Sequence, residues 1–370
     1  MPSRIQWLPT GDGFFDAVLP ALRAAAQSVR LETYIFSSLS PGAEILDELV
    51  AAARRGVRVH VMVDFLGSYG LADEFWNPLR SAGGDFRWFN PRRLSPIRNH
   101  RKSIICDDRI AFVGGCNLAP EYTGDGITSG FREVAVQIEG PMATALASSF
   151  DALFKRASIG NRRWRLLSRL DQPLPIAARP QGAVLSGGPG LRRSSLVVEL
   201  HRDLSRTGNL DILTPYFLPP LRVRMAIQKV ARRGGRVRLV LPGKSDVALS
   251  QLAAQSLYRR LIRAGIEVYE YQPQILHAKL LCFDHTVYVG SCNLDVRSLR
   301  INHELMARLD GPTAVNESRD IFESVLQKSQ RITPQALSIR RTFLTRLKEY
   351  WSHFLLATVD PYITYWLIKK

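Results

Sequence analysis

Two segments of the chain carry one pattern: Leu46-Asp-Glu-Leu-Val-Ala-Ala-Ala-Arg-Arg-Gly-Val-Arg-Val-His-Val-Met-Val-Asp64 and Ile227-Gln-Lys-Val-Ala-Arg-Arg-Gly-Gly-Arg-Val-Arg-Leu-Val-Leu-Pro242. In both, a helix-forming stretch ends in Ala-Arg-Arg-Gly and a Val-rich stretch follows it. Glycine after a basic last turn is typical of a helix end, and alternation after it is typical of a strand. A short apolar strand precedes each segment, at 31–36 and at 210–217. The chain therefore contains a long internal repeat.

The repeat continues further along both copies. Residues 71–83 and 252–265 predict second helices, each closed by Ala-Gly, and short strands follow at 86–89 and 268–271. Helices that alternate with strands at this spacing indicate βαβ units and a largely parallel sheet. We therefore predict an α/β fold in which two similar α/β halves, built from duplicated βαβ-type sheets, are related by a pseudo-twofold axis.

The stretch between the copies is rich in proline and glycine, which is typical of a connecting loop. We place the first half at residues 1–155, a connecting linker at 156–190 and the second half at 191–330. Residues 331–370 are interpreted as a C-terminal tail.

The charge balance restricts the partners. Among 370 residues, 50 Lys and Arg oppose 33 Asp and Glu, which gives a formal net charge of +17. Such a surface attracts polyanions, either nucleic acid or an anionic lipid leaflet.

The four cysteines form no Cys-x-x-Cys pair, so we expect buried, reduced thiols and a reducing compartment. The first residues contain no apolar signal-peptide region, and no run of about 20 apolar residues predicts a membrane-spanning helix.

The two copies share a motif that carries chemistry. It is His100-Arg-Lys102-Ser-Ile-Ile-Cys-Asp107 in the first and His277-Ala-Lys279-Leu-Leu-Cys-Phe-Asp284 in the second. A single His-x-Lys motif has little predictive value, but two copies at matching places in a repeat are improbable by chance. Downstream, both copies continue with an asparagine and a glutamate at matching places, namely Asn117 and Glu133, then Asn293 and Glu304.

The spacing suggests how the motif is used. Residues two apart on a strand point to the same face, so each histidine projects with its lysine. A twofold axis would then bring two imidazoles and two ammonium groups around one anionic group. Asp107 and Asp284 belong to the catalytic motif but lie seven positions from their histidines. Because that spacing is odd, we expect both aspartates to point away and to support the site structurally.

These residue types suit phosphodiester transfer. Lysine and asparagine side chains can hold the non-bridging oxygens, while one neutral imidazole attacks phosphorus and the other, protonated, donates to the leaving oxygen. Glu133 and Glu304 are the candidates for the carboxylate that fixes each imidazole. The mechanism requires no metal and no cofactor.

The duplicated His-Lys-Asp motif, with Gly290-Ser-Cys-Asn293 after the second copy, resembles the phospholipase D superfamily over almost the whole chain. The resemblance sharpens toward the bacterial cardiolipin synthases of the short form, which lack N-terminal transmembrane helices. It is carried by these stretches: Thr214-Pro-Tyr-Phe217, Lys244-Ser-Asp246, Asn293-Leu-Asp-Val-Arg-Ser298, Asn302-x-Glu304 and the paired Gly-Pro turns. Ser291 fits the pattern, whereas Gly115 stands where the family more often has serine.

The resemblance implies the phospholipase D fold and a ping-pong reaction on phosphatidylglycerol. His100 would attack phosphorus, and His277 would protonate the departing glycerol and then activate the headgroup hydroxyl of a second phospholipid. The two lysines and two asparagines would hold the phosphoryl oxygens, and the two glutamates would orient the histidines.

The C-terminal tail mixes basic residues with interfacial aromatics, which suits an amphipathic helix in the headgroup layer, although a helix packed on the protein's own surface is the alternative. We expect an anionic phospholipid membrane as partner, peripheral attachment at the cytoplasmic face, and no nucleic acid. The sequence contains no signal for an oligomeric state.

Three other functions are weighed against phosphatidyl transfer. They are phospholipid hydrolysis, hydrolysis of nucleic acid, and non-catalytic membrane binding. The superfamily's small nucleases typically carry one motif per chain, which ranks hydrolysis of nucleic acid well below lipid chemistry, and residues capable of chemistry at every position argue against non-catalytic binding. Phospholipid hydrolysis ranks between transfer and nucleic acid hydrolysis, because it differs from transfer only in which hydroxyl reaches the phospho-histidine.

Overall fold

The computed structural model describes residues 3–90, 96–157, 182–189, 194–340, 342–361 and 363. The connecting stretch 158–181 and the end of the predicted tail, 364–370, lie outside the described residues.

The first sheet has seven strands in the order β1-β7-β6-β5-β2-β3-β4. Its strands are β1 (Arg4–Leu8), β2 (Ser28–Thr33), β3 (Arg58–Asp64), β4 (Asp85–Phe89), β5 (Ser103–Cys106), β6 (Ile110–Gly114) and β7 (Ala135–Glu139). Strands β2, β3 and β4 are parallel neighbours, and the remaining pairings are antiparallel.

The second sheet repeats this order. Its strands are β8 (Gly182–Gly187), β9 (Asn209–Leu213), β11 (Arg236–Pro242), β12 (Glu267–Tyr271), β13 (Leu280–Cys282), β14 (Thr286–Gly290), β16 (Glu304–Asp310) and β17 (Ser329–Arg331). From one edge they run β8-β16-β14-β13-β9-β11-β12, and each strand corresponds to the strand at the same place in the first sheet. The second sheet has β17 in addition, beyond β12. A separate parallel pair joins β10 (Phe217–Leu218) to β15 (Leu294–Asp295). The duplication predicted from sequence is therefore present in the fold.

The sheets are mixed, so the expectation of a largely parallel sheet was wrong. Within the described parts of the two large sheets, only β2-β3-β4 and β9-β11-β12 run parallel. Two of the antiparallel pairings follow from the length of their connections. Three residues, 107–109, join β5 to β6, and three more, 283–285, join β13 to β14. Such links can close only an antiparallel hairpin, because a parallel crossover needs a dozen residues or more.

Helices cover both faces of the sheets. They are α1 (Gly11–Ala24), α2 (Gly42–Arg54), α3 (Asn77–Ser81), α4 (Pro141–Ala157), α5 (Ser195–Arg206), α6 (Leu221–Arg232), α7 (Ala248–Gln255), α8 (Tyr258–Arg263), α9 (Val296–Arg300), α10 (Pro312–Leu326), α11 (Pro334–Arg340) and α12 (Phe343–Phe354). The predicted second helices are shorter than expected. A 3₁₀ turn precedes α3, and residues 256–257 separate α7 from α8.

Three apolar cores hold the layers together. Helices α1, α2 and α3 cover the outer face of the first sheet, and α5 to α8 cover that of the second. The middle core draws buried residues from both halves, including α4 and α10, between the two inner faces. Burial of this central face fixes the halves against each other.

The ends of the predicted halves shift in the structure. Strand β8 lies inside the predicted linker 156–190 but is an edge strand of the second sheet. Helix α4 crosses the predicted boundary at 155, and β17 brings residue 331 into the second sheet.

Helix α12 and the π-helical turn after it (Leu355–Val359) pack against the second half. Residues Leu356 and Ala357 contact its outer core, and Nδ1 of His353 lies 3.0 Å from the hydroxyl of Ser256. The far side of the helix is open to solvent. Within the described ranges, no helix is long and apolar enough to cross a membrane.

Candidate active site

The motif histidines lie where the two halves meet. His100 precedes β5 and His277 precedes β13, and both strands run antiparallel to the central strands β2 and β9. Each motif therefore enters at the carboxyl end of a central strand. In an α/β sheet this edge is where ligands usually bind.

Backbone hydrogen bonds link each motif to the opposite half. The amide of His100 donates to the carbonyl of His303 at 2.9 Å, and the amide of His277 donates to the carbonyl of Arg132 at 2.9 Å. His303 directly precedes Glu304, and Arg132 directly precedes Glu133. The residue before each histidine also forms a parallel bridge with the residue before that glutamate.

The glutamates pair with the histidines across the halves. Nδ1 of His100 lies 2.9 Å from Oε1 of Glu304, and Nδ1 of His277 contacts Oε1 of Glu133. Both glutamate side chains are fully buried. A carboxylate on Nδ1 fixes the ring and keeps the proton there, so that Nε2 is the unprotonated, reactive nitrogen of a neutral imidazole.

The two lysines lie beside their own histidines. Nζ of Lys102 donates to the carbonyl of His100 at 2.8 Å, and Nζ of Lys279 donates to the carbonyl of His277 at 2.5 Å. Nζ of Lys279 also lies 3.0 Å from Nε2 of His277. Both lysine side chains are buried. The site therefore concentrates two buried cations, which an anionic substrate group would offset.

Burial and these cations shift the titration of the site. Burial and nearby Lys102 lower the pKa of His100 to about 4 against the opposing effect of Glu304. Burial and Lys279 lower the pKa of Lys102 to about 7 and also lower that of His277. Burial alone would raise the pKa of Glu133, but Lys279 and His277 hold it below its ordinary value. Without substrate, both imidazoles are therefore neutral near pH 7.

The asparagines and the small residues differ between the half-sites. Oδ1 of Asn117 accepts from the amide of Ile35 at 3.1 Å, whereas Oδ1 of Asn293 has no hydrogen-bond partner among the described residues. The hydroxyl of Ser291 donates to Oε2 of Glu304 at 2.5 Å. At the matching position, a Cβ built on Gly115 would collide with the carboxylate of Glu133.

The two aspartates lie away from the histidines, at the far ends of β5 and β13. Asp107 accepts from the amides of Gln27 at 2.7 Å and Ser28 at 2.9 Å, and Asp284 accepts from the amide of Gly208 at 2.5 Å. The two aspartates point away from the histidines as expected, but the odd spacing along a regular strand is not the reason. Strand β5 ends at Cys106, and Asp107 turns the chain with a φ of 54°. Both aspartates tie the strand end to the loop that opens the adjacent central strand.

Three tyrosines near the histidines were not assigned a role from sequence. Tyr34 packs edge-on against His100 with ring centroids 5.2 Å apart, and Tyr122 packs in the same way against His277. Tyr216 lies further from His277, at 6.4 Å, and donates its hydroxyl to Asp246 at 2.7 Å. The signal for Tyr34 and Tyr216 was available, because both follow the end of a repeated strand.

Buried acids behind the first half-site were also missed. Glu32 accepts from Arg101 at 3.0 Å and from Ser103 at 2.8 Å, and Asp64 accepts from the amide of Asn99 at 2.8 Å. These bonds hold the segment that carries His100. No local motif marks such acids, because each ends an ordinary apolar strand.

The four cysteines are free and buried, which confirms the expectation of buried reduced thiols.

Comparisons with known proteins agree with this geometry. Residues 18–157 and 201–326, more than half of the chain, match the family described as cardiolipin synthase, PLD-like domain. Cardiolipin synthase B of Salmonella typhimurium is 33% identical over 95% of this chain and 88% of its own length. The probable cardiolipin synthase YwiE of Bacillus subtilis is 30% identical over 94% of this chain and 70% of its own length.

A solved structure supports the fold independently. Phosphatidylserine synthase of Haemophilus influenzae superposes with a TM-score of 0.76 at 15% identity and covers 97% of this chain and 94% of that one. With the family match and the relatives above, the chain is a phosphatidyltransferase of the phospholipase D superfamily and belongs to the cardiolipin synthase family.

Proposed function

We propose that this enzyme transfers a phosphatidyl group from phosphatidylglycerol to the headgroup hydroxyl of a second phospholipid and releases glycerol. With phosphatidylglycerol as acceptor, the product is cardiolipin. The observation that carries the proposal is the pair of cross-half His–Glu contacts beside two buried lysines. The names of the similar synthases support the choice of phospholipid.

In the first step, Nε2 of His100 attacks phosphorus while the bond to the glycerol oxygen breaks. The neutral imidazole of His100 supports its role as nucleophile. Ser291 supports this assignment too, because its hydroxyl shares the charge of Glu304 and leaves less of it to raise the pKa of His100.

The leaving glycerol oxygen takes its proton from His277. A bound phosphodiester offsets the positive charge of the two lysines, which raises the pKa of His277 toward that of a working acid. Glu133, kept as a carboxylate, then stabilises the cation.

In the second step, neutral His277 takes the proton of the incoming headgroup hydroxyl. Its oxygen attacks phosphorus, and the bond to Nε2 of His100 breaks. Lys102 and Lys279, with the side-chain amides of Asn117 and Asn293, are placed to hold the non-bridging oxygens as charge shifts between them.

The exposed side of α12 supports membrane attachment through the C-terminal tail. Leu344, Tyr350 and Trp351 are 67%, 66% and 53% exposed, and Arg346 and Lys348 lie exposed on the same helix. Apolar and aromatic side chains beside basic ones suit the headgroup layer of an anionic leaflet. We place the enzyme peripherally, at the cytoplasmic face.

The test is incubation of purified protein with phosphatidylglycerol, labelled in its glycerol headgroup, in mixed micelles. Cardiolipin with released glycerol, absent in His100→Ala, is the expected result. Phosphatidic acid as the sole lipid product would instead make the enzyme a hydrolase. Addition of a chelator is expected to leave turnover unchanged, and a loss that added metal restores would contradict the mechanism.

A further inference from the structure

A basic cleft opens between the second half and the C-terminal helices, and none of its lining residues belongs to the active site. It measures about 900 Å³, within the range of ligand sites in proteins. One wall is formed by the ends of α6 and α8, and the other by α11 and α12. Helix α8 leads into the start of β12, so this wall extends toward the sheet edge opposite the catalytic one.

Positive charge dominates the lining. Its arginines are Arg232, Arg259, Arg260, Arg263 and Arg346. None of the five forms an ion pair or a side-chain hydrogen bond within the described residues, and Glu349 is the one acidic residue among those that line the cleft. Burial and Arg260 also lower the pKa of the adjacent Arg224. The cleft therefore holds an excess of positive charge that no described side chain balances.

The first half shows that the fold does not need three of these arginines. The turns after α3 and α8 are equivalent, because Gly83 and Gly265 both follow an alanine and have φ of 92° and 89°. Aligned on these glycines, the positions of Arg259, Arg260 and Arg263 carry Asn77, Pro78 and Ser81 in the first half. These three positions are thus charged only in the copy that the C-terminal helices cover, whereas Arg232 has a counterpart in Arg54.

The cleft is also apolar in part. Leu257, Ile262, Leu337 and Tyr350 line it beside the arginines. Just outside, Leu347 and Trp351 are exposed on α12. A free phosphate would gain nothing from these apolar side chains, and a nucleic acid could stack its bases only on Tyr350 and Trp351, whereas a lipid offers a phosphate and a hydrocarbon stem together.

We propose that this cleft is a second lipid site, which binds the phosphate headgroup of an anionic phospholipid in the membrane while the exposed face of α12 lies against the acyl region. Such binding goes beyond catalysis, because no reacting group lies in the cleft. It would hold the enzyme on anionic leaflets whether or not the active site is occupied.

The test compares two variants of equal charge in the full-length protein. The cleft variant Arg259→Asn/Arg263→Ser takes the first-half residues at those positions. The control Arg54→Asn/Arg58→Ser removes two exposed arginines from the first half. Binding is measured on phosphatidylcholine vesicles containing phosphatidic acid, which has no headgroup alcohol to release.

The cleft variant is expected to bind at least about tenfold more weakly than the parent, and the control to lose less than about twofold. Arg346→Gln, on the opposite wall, should weaken vesicle binding as well. Arg346 is an exposed residue of α12, so this substitution leaves the packing of the two halves unchanged. Equal losses in the cleft variant and the control would overturn the proposal, since general surface charge would then explain binding.

Two further arms identify the ligand class. Saturating glycerol 3-phosphate should leave vesicle binding intact, and displacement that requires Arg259 and Arg263 would overturn the lipid assignment in favour of a soluble phosphate ester. Single-stranded DNA binding that depends on these arginines, with vesicle binding unaffected, would make the cleft a polynucleotide site and overturn the proposal. Turnover in detergent micelles, measured separately, should be unchanged in the cleft variant.

Discussion

The two half-sites use the same histidine–glutamate contact but surround it differently. On the His100 side, Glu304 also accepts from the Ser291 hydroxyl, so its charge is shared between two donors. On the His277 side, Gly115 replaces the serine, the carboxylate of Glu133 fills the space that a side chain would need, and its second donor is the backbone amide of Val134 at 3.3 Å. Duplication has therefore kept the pairing, while the second donor differs: a side-chain hydroxyl at 2.5 Å for Glu304 and a longer backbone contact for Glu133. This difference suits a nucleophile on one side and an acid–base on the other.

The largest effect should come from separating the two histidine roles. With phosphatidyl-p-nitrophenol as donor, the leaving group needs no proton, so His277→Ala should still release one equivalent of nitrophenol and retain a covalent phosphatidyl group. His100→Ala should release none and lose at least about a thousandfold in rate. Stopped-flow absorbance and intact-protein mass measurement follow both events. A burst of nitrophenol in His100→Ala, with none in His277→Ala, would instead make His277 the nucleophile.

Replacing each glutamate by its amide should show the asymmetry directly. Glu133→Gln removes the charge that stabilises the His277 cation, and we expect a loss of about a hundredfold in kcat/KM. On the proposed mechanism, Glu304→Gln affects the ring that acts as a neutral nucleophile, and a loss of about tenfold in kcat/KM is expected. Steady-state assays in mixed micelles measure both, with circular dichroism as a control for folding. Equal losses would mean that the half-sites are equivalent.

Exchanging the small residues should give a lesser effect. Ser291→Gly removes a donor to Glu304, so the carboxylate acts more strongly on His100 and raises its pKa above about 4. The acid limb of the pH profile should move upward, with a rate change of only about threefold. Gly115→Ser should lose about tenfold, because the carboxylate of Glu133 must move. Identical pH profiles for the parent and Ser291→Gly would contradict this account.

The last prediction concerns stability, which is measured on a separate scale from the rates. The pKa of Lys102 is about 7 in the folded protein, against 10.5 for an ordinary lysine. Between these values the unfolded chain binds more protons, so this group makes stability rise with pH. Lys102→Met should abolish transfer, remove that slope and stabilise the protein at pH 7 by an amount on the order of a few kcal/mol.

Urea unfolding at pH 7 and pH 9 checks this prediction. The exposed Lys348→Met serves as the control and should change neither stability nor slope. A less stable Lys102→Met protein would show that the buried lysine contributes more through its contacts than it costs through burial.

Much of the fold and the site was predictable because duplication repeats its own signal. His100 and His277, each with a lysine two residues on, stood out only as a pair. The pairing of the glutamates was not predictable, since 204 residues separate His100 from Glu304 and no local pattern shows that the halves exchange them. The prediction of a largely parallel sheet was wrong for a different reason. Helix–strand alternation describes only the first strands of each half and says nothing about the hairpins that follow.

The position of Gly115 illustrates a limit of reading motifs residue by residue. As a departure from the usual serine, it looks like a missing hydroxyl. In the structure, the carboxylate of Glu133 occupies the volume beside it, so the smaller residue and the placement of the acid belong together. This dependence of one residue on the other becomes visible only in the structure, because Gly115 and Glu133 lie 18 positions apart in the sequence.

The exchange of glutamates between halves has a consequence for the order of events on the ribosome. When the first half emerges, His100 is already made, but the carboxylate that orients it lies 204 residues downstream. His277 in turn receives Glu133 only when its own half docks. A nascent chain that stops before residue 304 therefore lacks the carboxylate that contacts His100, and on the proposed mechanism both histidines become oriented only once the second half has docked on the first.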